Sequence, residues 1–128
     1  MSPEHRVVPS KVQTIGILHV VGGVMNLLIS VFWLFYGMVF GLATFGIGLV
    51  ACCPAFLLFP LGIVELMSGI RHLSSNHRGL APPRLTAVAQ ICSLLACSVL
   101  SAVFGILTLV FLSDPEVEEY YQQNLLDG

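Results

Sequence analysis

The chain has 128 residues, of which 9% are charged and 56% hydrophobic, and its mean hydropathy is +0.92. A soluble domain of this size carries about 25% charged residues, so no soluble globular surface can be built from this composition. The net charge of −2 matters less than its placement: Arg6 and Lys11 precede the first apolar run, Arg71, Arg78 and Arg84 flank the one polar interruption, and five of the seven acids come after Ser113.

Taken in chain order, residues 1–11 form a short basic segment, and an apolar stretch then runs almost unbroken from Val12 to Ile70. That is too long for the core of a cleaved signal peptide. A helix needs about 20 apolar residues to cross a hydrocarbon layer of about 30 Å, so this stretch supplies two spans. Gly37, Gly41, Gly46 and Gly48 cluster where a break is needed, because glycine weakens a helix interior. The first helix is therefore predicted over 12–37 and the second over 49–73. Their apolar connection, 38–48, should be helical, interfacial or covered by protein, since irregular backbone cannot face lipid unsatisfied. Trp33 and Tyr36 fall near the far interface, where amphipathic rings are favoured. Pro54 suits a first helical turn, whereas Pro60 removes a hydrogen bond to the Phe56 carbonyl and should kink the second helix.

Asn76, Gly79 and the pair Pro82–Pro83 mark residues 74–84 as a short turn. The stretch from Leu85 to Leu112 is enough for one further span, predicted over 85–113. After it, Ser113-Asp114-Pro115-Glu116 reads as a helix start, with Ser113 or Asp114 as N-cap and acids in the first turn. Val117, Tyr120, Tyr121 and Leu125 share a face, which predicts a short amphipathic helix over 114–128, lying on the membrane surface or on a partner.

Lys and Arg collect on the cytoplasmic side of membrane proteins. An even number of crossings must then separate the two basic segments, and a third crossing carries the acidic tail to the opposite face. The expected architecture is an all-α integral membrane bundle of three transmembrane helices (12–113), with a cytoplasmic start and an extracytoplasmic tail.

Each span carries a face of small or polar residues, which is how membrane helices associate when lipid supplies no hydrophobic drive. These are Gly16, His19, Gly23, Asn26 and Ser30 in the first helix, and Gly62, Glu65, Gly69 and His72 in the second, with Ala51 and Ala55 further out. The third has Thr86, Gln90, Ser93, Cys97, Ser101, Gly105 and Thr108. His19, Glu65 and Gln90 each lie six residues inside a polar marker (Gln13, Arg71 and Arg84), about 9 Å at 1.5 Å per residue. They are expected to form one polar layer, joined by Asn26, in which Glu65 is protonated or paired with His19 or Gln90. Such a layer can fasten helices, bind a ligand or partner, or move protons.

Arg71, Arg78 and Arg84 could hold anionic lipid headgroups. Cys52, Cys53, Cys92 and Cys97 lie in apolar segments without zinc-like spacing and read as packing residues. There is no nucleophile–base pair, phosphate-binding loop, metal quartet or nucleic-acid patch, so neither a catalytic role nor a cofactor is expected.

The run Thr14-Ile-Gly-Ile-Leu-His-Val-Val-Gly-Gly-Val-Met-Asn, the later Pro60-Leu-Gly-Ile-Val-Glu-Leu-Met-Ser-Gly and the small-residue third span resemble the first three helices of the CD20-like, membrane-spanning four-domain family. Small bacterial multi-span proteins are similar too. The resemblance covers about Gln13 to Leu112 and implies a non-enzymatic protein that forms oligomers and assembles with membrane partners. The chain departs from the family by lacking a fourth predicted span. These readings together point to a non-catalytic membrane assembly or accessory subunit, packed with itself or with other membrane proteins. The alternative is a subunit of an ion channel or proton-linked transporter using Glu65.

Overall fold

Pro9 immediately precedes a long helix, and its carbonyl accepts from the amides of Val12 and Gln13. This helix, α1, spans Ser10–Ala43. The computed structural model describes residues 8–74, 79–93 and 98–126. Within them the chain is all-helical: α1, a 3-10 segment at Ile47–Cys52, α2 at Cys53–Leu73, α3 at Arg84–Cys92, α4 at Val99–Leu112 and α5 at Pro115–Leu126.

Helix α1 has 34 residues, about 51 Å at 1.5 Å per residue, and so exceeds a hydrocarbon core of about 30 Å. It does not stop at Gly37 as expected. Gly37 and Gly41 are buried in its last turns, and a Cβ on Gly41 would come within 2.8 Å of the Leu49 side chain. These glycines therefore mark where the adjoining 3-10 segment folds back closely. The break itself comes at Phe45 and Gly46, with φ of 50° and 96°, a left-handed conformation natural to glycine. The apolar connection is thus largely helical. Helix α2 takes Pro54 in its first turn and continues through Pro60 as one element.

The two long helices run antiparallel, and glycine sets their separation. A Cβ on Gly23 would lie 2.8 Å from the Gly62 carbonyl oxygen, and one on Gly69 would lie 2.7 Å from the Val20 amide nitrogen. Gly16 meets His72 and Leu73 at the near end of the pair, where α1 begins and α2 finishes. Helices α1 and α2 are long and apolar enough to cross a membrane.

The third apolar stretch behaves differently, and the continuous helix expected over 85–113 is replaced by two. Helix α3 ends at Cys92, α4 begins at Val99, and the two pack side by side in opposite directions: a Cβ on Gly105 would lie 2.5 Å from the Ala87 carbonyl oxygen. The physical reason lies in the serines. Ser93 turns its hydroxyl to the Gln90 carbonyl, and the Ser98 amide closes back onto the Ser93 carbonyl at 3.1 Å. Serine offers the backbone such alternatives to a continuing helix. With 14 residues, α4 is about 21 Å long, too short to cross alone.

Because this hairpin returns, the chain beyond Leu112 lies at the near end of the bundle and not at the far end that three crossings require. Lys11 at the start of α1 is paired with Asp114, and the Gly79 amide donates to the Asn124 carbonyl at 3.2 Å. Asp114 caps α5 by accepting from the Glu116 amide at 3.1 Å. Helix α5 turns 81° from α4 and lays Val117, Tyr120 and Tyr121 on Val12, Ile15, Leu80 and Leu112. The expected apolar face thus covers this chain's own bundle. Asn124 completes it in place of Leu125, which is exposed.

Candidate functional site

A polar residue in an apolar helix must find a partner on a neighbouring helix, since lipid offers none. Four such residues meet inside the bundle, with Asn26 of α1 at the centre. Its side-chain amide donates to both oxygens of Glu65 on α2 at 3.0 Å and to the Ser101 hydroxyl on α4 at 2.9 Å. Its carbonyl accepts from the Ser98 hydroxyl at 2.7 Å, and Ser101 donates to Glu65 Oε1 at 3.4 Å. Asn26, Glu65, Ser98 and Ser101 are all 0–1% exposed.

Gly22 makes room for this cluster. A Cβ there would lie 3.0 Å from Gln90 Nε2 and 3.1 Å from Glu65 Oε2, so both side chains press against the bare backbone of α1. Thus Glu65 and Gln90 lie together with Asn26, and all four of helices α1–α4 plus the α3–α4 turn contribute to one carboxyl site.

His19 does not join them. It lies seven residues before Asn26, two turns nearer the basal end, with Nδ1 donating to the Ile15 carbonyl at 2.9 Å. Its ring stacks on His72 at 6.2 Å, and His72 meets the Tyr121 ring edge-on at 5.9 Å. The depth count assumed that Gln13, Arg71 and Arg84 stand level. The glycine contacts instead fix a register in which Glu65 faces Asn26 and His72 faces His19. Burial among apolar side chains pushes the Tyr121 phenol up.

The remaining expected residues divide in the same way. Gly16, Gly23, Gly62 and Gly69 lie in the α1–α2 contact and Gly105 in the α3–α4 contact. Ser93 is buried and closes the α3–α4 turn through the Gln90 and Ser98 carbonyls. Cys97 and Arg78 lie outside the described residues. Arg71 lines a groove between α2 and the segment entering α3, and Arg84 lines an adjoining hollow with Glu118 and Tyr121.

Two participants are not apparent from the sequence. Ser98 is one polar residue among several in an apolar run, and its spacing of three from Ser101 is the available signal. The Lys11–Asp114 pair is hidden by the expected topology, which sets the two on opposite faces. No group of His, Cys, Asp and Glu suited to a metal occurs among the described residues. No family model, characterised protein or solved structure matches this chain.

Proposed function

We propose that the chain is a non-catalytic integral membrane assembly or accessory subunit that enters and leaves the bilayer from the cytoplasmic face and presents the outer half of its α1–α2 pair to a partner. The observation that carries this reading is the unequal height of the two hairpins. The α3–α4 turn stops at the level of Asn26, through the Ser98 and Ser101 bonds, while α1 continues to Ala43. Beyond that level α1 and α2 have no further long helix beside them among the described residues, and Phe32, Phe35, Tyr36, Phe40, Phe56 and Leu57 are exposed. On α1 the rings of Phe32, Trp33, Tyr36 and Phe40 form a ladder with centroids 5.7–6.1 Å apart. Rigid aromatic side chains of this kind bury large areas when helices associate.

Orientation is argued from charge. Lys11, Arg71 and Arg84 belong to the basal end of the bundle, which the bias of Lys and Arg assigns to the cytoplasm. Helix α5 docks on that same end.

The enclosed Glu65 supports fastening over conduction, because its oxygens are occupied by Asn26 and Ser101 from within the chain. Two measurements test the proposal. Single cysteines at positions 10 and 122, in a background lacking the native four, should react with an impermeant reagent from one and the same side. Native mass spectrometry in mild detergent should find the chain bound to itself or to another membrane protein; a lone monomer in lipid overturns the assembly reading.

A further inference from the structure

The outer face of α2 carries Val64, Met67, Ser68 and Arg71. At helical spacing these line up in one stripe about 10 Å long, with its charged end toward the membrane surface. Opposite them run Gly79–Pro83, Leu85 and Thr86, and the two walls enclose a groove of about 390 Å³. His72 and Leu80 form its buried floor, while Val64, Met67 and Leu85 are 52%, 62% and 84% exposed.

The chemistry of the groove is graded. Among the described residues Arg71 is its one cationic lining side chain of fixed charge, and no acid lines it. Hydroxyls of Ser68 and Thr86 stand on either wall, beside the exposed apolar side chains of Val64, Met67 and Leu85. A guanidinium presents a fork of donors that matches phosphate oxygens, and that of Arg71 belongs to the last turn of α2. In a bilayer an open groove with exposed apolar walls is filled by the molecules around it.

We propose that this groove holds one anionic glycerophospholipid, its phosphate on Arg71 between Ser68 and Thr86, and an acyl chain running over Met67, Val64 and Leu85. The molecule wedges between α2 and the α3–α4 hairpin, two elements that otherwise touch only lightly. Arg84 takes no part, since it lines the adjoining hollow, which contains Glu118.

The test uses the full chain in mild detergent, titrated with phosphatidylglycerol or phosphatidylcholine and monitored by native mass spectrometry and thermal unfolding. One phosphatidylglycerol should be retained per chain, in clear preference to phosphatidylcholine, and should raise the Tm. Arg71→Gln should weaken retention roughly tenfold, the loss of one charge-assisted contact. Val64→Trp, which fills the groove from its outer wall, should abolish retention while leaving the unliganded Tm unchanged. Arg84→Gln should retain the lipid as the native chain does. Equal retention of both lipids, an equal loss in Arg84→Gln, or full binding by Arg71→Gln overturns the proposal. Displacement of the lipid by millimolar inorganic phosphate also overturns it, by assigning the site to a soluble anion.

Discussion

The two helical hairpins are made from similarly apolar sequence, yet they are held by different means and reach different depths. The α1–α2 pair is closed by backbone contact along Gly16, Gly23, Gly62 and Gly69, with small residues replacing side-chain bulk where the helices cross. The α3–α4 pair has one such contact, at Gly105, and is otherwise fixed at its tip by hydrogen bonds that join Ser98 and Ser101 to Asn26 and Glu65. Apolar length therefore does not by itself decide whether a segment crosses. A segment can also turn back where hydroxyls satisfy the backbone and a neighbouring helix offers a polar partner at the depth of the turn.

The largest effect should come from overfilling the first pair. A Cβ on Gly23 would meet the Gly62 carbonyl oxygen and the Leu66 amide nitrogen, both at 2.8 Å, and backbone atoms cannot swing aside. Gly23→Val should cost about 3 kcal/mol, the upper part of the usual overpacking range, and should shift α1 away from α2. Unfolding in detergent measures the cost. A Gly23→Val protein as stable as the native chain would show that glycine contact is not what closes this pair.

A smaller effect, confined to the second pair, should result from cutting its tip loose. Asn26→Leu removes the donor of both Glu65 bonds and the acceptor of the Ser98 hydroxyl, leaving buried polar groups unmatched. The expected loss is about 2 kcal/mol. Glu65→Gln keeps an oxygen that accepts from Asn26 and should cost less than half as much. Hydrogen exchange should quicken in α3 and α4 of Asn26→Leu and stay slow in α1 and α2. Equal acceleration in both pairs would mean that Asn26 holds the whole bundle together and the distinction between the hairpins fails.

Much of the first pair is legible in the sequence because its signals are local. Hydropathy marks two spans, the buried stripe Gly16, His19, Gly23, Asn26 and Ser30 has helical periodicity, and Pro54 marks a first turn. The second pair is not legible because its decisive interactions are between segments distant in sequence. Ser93, Ser101, Gly105 and Thr108 fit one helix face as well as they fit a broken one, and only Asn26, far away in α1, gives Ser98 a reason to turn. The difference then propagates: one continuous helix over 85–113 in place of the α3–α4 hairpin carries Asp114 away from Lys11. Of the two partners expected for Glu65, Gln90 lies beside it while His19 does not, since depth counted from solvent-exposed markers is coarser than the register that glycine contacts impose. The cap at Asp114 survives because a cap needs only its own next turn.

The smallest effect tests whether the returning hairpin is anchored at its base. Lys11 holds the Asp114 carboxyl below the usual carboxylate range, and the Glu116 amide adds to this. A group whose pKa is lower in the folded chain than in the unfolded one, at about 3.9 for Asp, contributes stability that is present above that value and lost as pH falls through the folded pKa. The Tm of the native chain should therefore fall at pH below about 4 more steeply than that of Asp114→Asn, with the two curves parallel at higher pH. Both side chains are partly solvated, so the difference should be modest and should shrink as salt is raised. Identical acid limbs for the two proteins would separate Asp114 from Lys11 in solution. The α3–α4 hairpin would then be held at its tip by Asn26 and at its base by the apolar face of α5 alone, with no ionic tie to the pair it leans on.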